Sequence, residues 1–80
     1  MIVVTAEQIE GRRIIKTLGS ITGRRDGYGG YRYEEALQRM IRQAEEWMAN
    51  EIVGVRFVNL VGARGTPYTL VSGTAVEVKS

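Results

Sequence analysis

The stretch from Tyr33 to Phe57, YEEALQRMIRQAEEWMANEIVGVRF, constrains the fold more than any other part of this chain. Ala36, Leu37, Met40, Ile41, Ala44, Trp47 and Met48 recur at the three- and four-residue spacings of one helical face. Glu34, Glu35, Gln38, Arg39, Arg42, Gln43, Glu45 and Glu46 fill the remaining positions. Glu34 opens the predicted helix, where it and Glu35 suit the positive end of the dipole. Glu35 precedes Arg39 in the favourable i,i+4 order, and Arg42 can reach Glu45 and Glu46. Asn50 fits a left-handed stop just past Met48. From Ile52 to Asn59 the period changes to two: Val53, Val55 and Phe57 form the set expected to face the helix, with Ile52, Gly54, Arg56 and Val58 opposite.

The flanking segments read as strands and turns. Met1–Thr5 is a short β-branched run, and Ala6–Gly11 breaks both periodicities and forms a turn. Arg12–Gly23 alternates imperfectly, with Ile15, Thr17, Gly19 and Ile21 on one face and Ile14, Lys16, Leu18 and Ser20 on the other. Gly19 inside it marks a bulge or a close backbone approach. Arg24–Arg32 carries the turn dipeptides Asp26-Gly27 and Gly29-Gly30 and reads as a loop. Leu60–Pro67 is a hairpin connection, and Tyr68–Lys79 is the last strand: Leu70, Thr74, Val76 and Val78 share one face, Val71, Gly73, Ala75 and Glu77 the other. The predicted architecture is α+β, a two-layer β-β-α-β-β domain spanning residues 1–80, its small and mainly antiparallel sheet carrying one amphipathic helix on one face.

Size sets the next constraint. A chain of 80 residues has a single core, and cores this small commonly recruit disulfides, metals or self-association. There is no Cys and no His, which removes disulfides, soft-metal ligands and the usual general base together. Self-association remains. One helix covers one face of the sheet, and the other face carries too many small and apolar residues to be simply solvated, so the expected partner is another copy of the chain. No stretch is apolar for the length of a membrane span and the N-terminus lacks a signal-peptide pattern, so a cytoplasmic location and no membrane partner are expected.

Candidate sites are few. Arg24, Arg25, Tyr28, Tyr31 and Arg32 interleave cations with aromatics, the composition that contacts phosphates and stacks on bases. With a net charge of only +2 the electrostatic footprint is slight, and nucleic acid is not the expected partner. Arg56 is a cation on a strand face among apolar neighbours, and either pairs with Glu51 or Glu77 or holds an anionic group. Trp47 belongs to a core or an interface, or walls a pocket for a flat ligand; with Arg56 it makes a candidate small-molecule site between subunits. Ser20, Thr22, Ser72 and Thr74 have no His to activate them, so no catalytic residue, cofactor or metal ligand is expected and the chain reads as a non-enzyme.

Three pieces, MIVVTAEQIEGRRIIKTLGSITG, EEALQRMIRQAEEWMANEIVGVRF and SGTAVEV, together resemble the YbjQ-like family of small uncharacterised proteins. The matching residues include Thr5, Glu7, Ile9, Gly11, Leu18, Gly19, Thr22, Gly23, Gly54, Val55, Arg56, Phe57, Gly73, Thr74, Ala75 and Val76. The resemblance implies a dodecin-like α/β subunit that assembles as a ring, most often a pentamer, and a family without an established activity, some of whose members carry a heavy-metal-binding label. The chain departs from the pattern in two ways. It keeps only Arg24–Tyr33 where the family has a longer segment with its own helical stretch, and it lacks the His and Cys that a soft metal prefers.

Overall fold

A computed structural model of the chain describes residues 1–6, 13–27 and 30–79, the side chains at 30 and 31 excepted. Its elements run β1 (Ile2–Val3), β2 (Arg13–Asp26), α1 (Gly30–Glu46), β3 (Glu51–Val61) and β4 (Pro67–Lys79). The strands form one mixed sheet in the order β1-β3-β4-β2, with β1 parallel to β3 and the other neighbours antiparallel. The α+β, β-β-α-β-β architecture read from the sequence is the one observed. The turn expected over Ala6–Gly11 lies almost wholly outside the described residues.

Several boundaries move for identifiable reasons. Arg24, Arg25 and Asp26 are strand rather than loop, because they pair with Leu70, Thr69 and Tyr68 of β4. The helix begins at Gly30 instead of Glu34, so its first turn holds no acidic residue. At the other end Met48, not Asn50, takes the left-handed conformation, with φ 62°. The Met48 amide donates to Glu45 and the Ala49 amide to Ala44, closing a Schellman motif two residues earlier than the sequence suggests. Asn50 is thereby released for another task. Its Nδ2 donates to the Val78 carbonyl at 3.1 Å and its Oδ1 accepts from the Val78 amide at 2.9 Å, tying the end of β4 to the start of β3.

Bulges decide which residues face the helix. Between Val53 and Arg56 β3 carries one residue more than β4, and Gly54 accommodates it at φ 64°. The alternation therefore changes phase. Ile52 and Val55 both enter the core under the helix, while Val53 turns to the opposite face, which corrects the expected placement of Ile52 and Val53. Val55 and Phe57 do lie on the helix side, and Phe57 meets the Tyr33 ring edge-on at 5.6 Å. Two similar register shifts in β2, at Ile14/Lys16 and Thr17/Gly19, bring Leu18 as well as Ile21 to the helix-side core.

The main core joins Ala36, Met40 and Ala44 of α1 to Ile21, Ile52, Val55, Val71 and Ala75 of the sheet. Much of this contact is made by small residues, so the helix lies close to the strands. A second cluster occupies the face away from the helix: Val53, Val76 and Val78, with Val4 and Ile14 packed against them. The expectation of a bare apolar patch on that face needs revision. Val53, Val76 and Val78 are buried within the subunit itself, at 9% exposure or less, while Val58 stays exposed on the same face.

Candidate functional site

Register fixes what the open face presents. Residues opposite one another in antiparallel strands point to the same side of the sheet. Three cross-strand rows follow: Thr22, Ser72 and Arg56; then Ser20, Thr74 and Val53; then Thr17, Val76 and Glu51. Same-face rows are about 7 Å apart along the strands and neighbouring strands about 4.8 Å apart. The rows floor an open trough of about 500 Å³ whose lining includes Thr17, Ser20, Thr22, Arg56, Ser72 and Thr74. Its apolar lining includes Ile14 and the almost fully buried Val53 and Val76. Arg56 is the only charged side chain among the described residues that line it.

The sequence marks Arg56 as a site residue and does not mark the hydroxyls around it. Their signal is present in the alternation of β2 and β4, which sets Ser20 with Thr22, and Ser72 with Thr74, on shared faces. Within one subunit Arg56 and Trp47 are not brought together: Trp47 follows the helix, with its ring edge 3.6 Å from where a Cβ on Gly19 would lie, and it does not line the trough. Of the partners expected for Arg56, Glu51 shares its face and is fully buried. Glu77 stands opposite Lys16 on the helix side, so it cannot serve Arg56 within the subunit.

The arginines of the Arg/Tyr segment engage the protein's own groups. The Arg24 guanidinium stacks 3.9 Å over the Tyr68 ring. Arg25 is ion-paired with Glu35, which Arg32 also approaches at 4.0 Å. Glu35 thus looks toward β2 and its own helix turn, and Arg39, the partner expected for it, donates instead to the Arg24 carbonyl at 2.8 Å. Tyr28 and the Tyr31 side chain lie outside the described residues.

Among the described residues the exposed apolar surface gathers at two places. One is the far half of β3, where Phe57 and Val61 are 45% and 64% exposed on the helix side and Val58 is 42% exposed on the other face. The other lies at the opposite end of the helix and sheet, where Trp47 and Met48 are 38% and 84% exposed, with Ile15 of β2 at 47% and Met1 and Ile2 beside the start of β3 at 43% and 41%. The subunit is elongated, 43 Å along its longest axis, and helix and strands run between these two ends. The far half of β3 is also an edge. Among the described residues β1 pairs only with Glu51 and Ile52, its continuation reaching Gly54 and Val55 through Ala6 and Val4. The Gly62 amide donates to Thr66, and Pro67 opposite Val61 has no amide to give. By alternation the backbones of Phe57, Asn59 and Val61 then point away from β4.

Among the described residues no three carboxylates gather where they could hold an ion. Among the same residues no helix is long and apolar enough to cross a membrane.

Comparison with known proteins places the chain among relatives of uncharacterised function. The sequence profile of the YbjQ family, whose description reads "Putative heavy-metal-binding", matches residues 31–79. A "UPF0145 protein" of Pseudothermotoga lettingae is 32% identical over 104 aligned positions, covering 99% of this chain and 98% of the relative. Another, of Methanosarcina acetivorans, is 30% identical over 103 positions, covering 98% and 97%. Alignments of 104 positions against a chain of 80 residues mean that such relatives carry residues this chain lacks. The fold is shared with a solved protein of unknown function in the DUF74 family from Pediococcus pentosaceus: the TM-score is 0.64 at 17% identity, over 99% of this chain and 98% of that one.

Proposed function

The chain belongs to the YbjQ family of UPF0145 proteins, and from that premise we propose that it is a self-assembling subunit without enzymatic activity, joined head to tail into a ring, with a pentamer the favoured count. The observation that carries this reading is the pair of exposed apolar regions at opposite ends of one elongated subunit: Phe57 and Val61, with Val58 on the reverse of the same edge strand, at one end, and Trp47 and Met48 at the other. Patches of different residues at opposite ends suit a heterologous contact, which repeats from copy to copy and closes when the rotation between copies permits. The outward backbone groups of Phe57, Asn59 and Val61 add a demand for hydrogen bonds that a neighbour can meet.

The family's heavy-metal label finds no matching donor set here. Soft metals are held by thiolate and imidazole, and the chain has no Cys and no His. The nucleic-acid reading also gains no support, since Arg25 and Arg32 are directed at Glu35 and Arg24 at Tyr68.

Size exclusion with light scattering at micromolar concentration tests the assembly. A particle several times the 8.9 kDa chain mass is expected. A folded, stable monomer would overturn the reading.

A further inference from the structure

The trough on the open face has a composition that self-assembly does not explain. Its polar lining is hydroxyls from β2 and β4, its valines are almost fully buried, and its one charge among the described lining residues is a guanidinium near one end. We propose that this trough binds a small phosphorylated polyol, with the phosphate at the Arg56 end and the hydroxylated body along the rows toward Thr17. The proposal does not depend on the ring.

Each part of such a ligand finds its chemistry in order along the sheet. The first row places Arg56 beside Ser72 and Thr22. A guanidinium has five N–H donors in a fixed fork, so it can hold a phosphate and still keep a contact within the protein. Ser and Thr hydroxyls there donate to the remaining phosphate oxygens. About 7 Å further along, Thr74 stands between Ser20 and Val53, and beyond them Thr17 stands beside Val76. Hydroxyls both donate and accept, which matches them to the hydroxyls of a polyol better than to a purely anionic or purely apolar body. A cavity of about 500 Å³ lies within the usual range for small-molecule sites. No carboxylate is among the described lining residues to repel the phosphate.

Isothermal titration calorimetry on the full chain provides the test, with ribose 5-phosphate, inorganic phosphate and ribose as probes. Ribose 5-phosphate should bind more tightly than inorganic phosphate, and ribose alone should give no measurable heat. Arg56→Gln should weaken ribose 5-phosphate by about tenfold or more, as loss of a charge-assisted contact does. Thr74→Val, nearly the same shape without the hydroxyl, should weaken it by about threefold and leave inorganic phosphate unaffected. Arg42→Gln, which removes an exposed helix cation, should change neither. If Arg56→Gln fails to fold by circular dichroism, the contrast between Thr74→Val and Arg42→Gln decides the test. Absence of heat with every probe at millimolar concentration would overturn the proposal. So would equal affinity for phosphate and ribose 5-phosphate, or equal losses in Arg56→Gln and Arg42→Gln. Light scattering on the same samples separates a lost site from a lost assembly.

Discussion

Gly23 of β2 runs so close beneath Ala36 of the helix that a Cβ on Gly23 would stand 2.0 Å from the Ala36 carbonyl oxygen. The same Cβ would lie 2.8 Å from the Met40 amide nitrogen, so the obstacle is helix backbone and no side chain can rotate away. Overpacking a core typically costs about 1–3 kcal/mol when neighbours can shift. Gly23→Ala should therefore reach or exceed about 3 kcal/mol in chemical denaturation, because the whole helix has to lift. Gly65→Ala is the control. Gly65 has φ +75° with nothing within 4 Å of where a Cβ would lie, so only the left-handed backbone penalty of about 1–2 kcal/mol applies.

Asn50 substitutes for a strand residue at the end of β4. Its side-chain amide makes both the donor and the acceptor contact to Val78 that a neighbouring backbone would make. Asn50→Ala leaves a partly buried amide and carbonyl unmatched and should cost about 1–3 kcal/mol. Asn50→Asp keeps the acceptor for the Val78 amide but sets a carboxylate against the Val78 carbonyl. It should recover little of that loss. Hydrogen exchange at the Val78 amide is the local readout, and both variants should speed it.

Met48 holds a left-handed backbone conformation without being glycine. Its side chain is 84% exposed, so replacing it removes little packing within the subunit. Met48→Gly should stabilise the isolated subunit by about 0.5–1 kcal/mol. The measurement belongs in a Val61→Lys background, where loss of assembly does not enter the unfolding curve.

These elements show where sequence patterning succeeds and where it stops. The helix stripe is legible because Ala36, Met40 and Ala44 obey a strict spacing, and the succession of strands follows from alternation on either side of it. The faces of β3 are not, since the inserted residue at Gly54 reverses the alternation between Val53 and Val55, and a Gly within a strand signals a bulge without stating its direction. Arg24–Asp26 resembles a loop through its company of glycines, yet cross-strand pairing with β4 holds it extended. Arg56 is legible as a cation on the open face. The hydroxyl rows beside it require the register between β2, β4 and β3, which no single strand contains.

A head-to-tail ring makes a prediction that a two-fold dimer does not. Val61→Lys places a charge in the β3 patch and leaves the Trp47/Met48 end intact; Met48→Lys does the reverse. Both positions are largely exposed, so each variant should fold with an unchanged circular dichroism spectrum and behave alone as a monomer in light scattering. Mixed in equal amounts, they supply one undamaged β3 patch and one undamaged Trp47/Met48 patch between them. The mixture should form a heterodimer that cannot grow, because every remaining free end carries a lysine. Self-pairing of the β3 edge predicts otherwise: Val61→Lys would be monomeric, Met48→Lys would assemble as the native chain does, and mixing would create nothing new. Native mass spectrometry distinguishes the two, since the variants differ in mass.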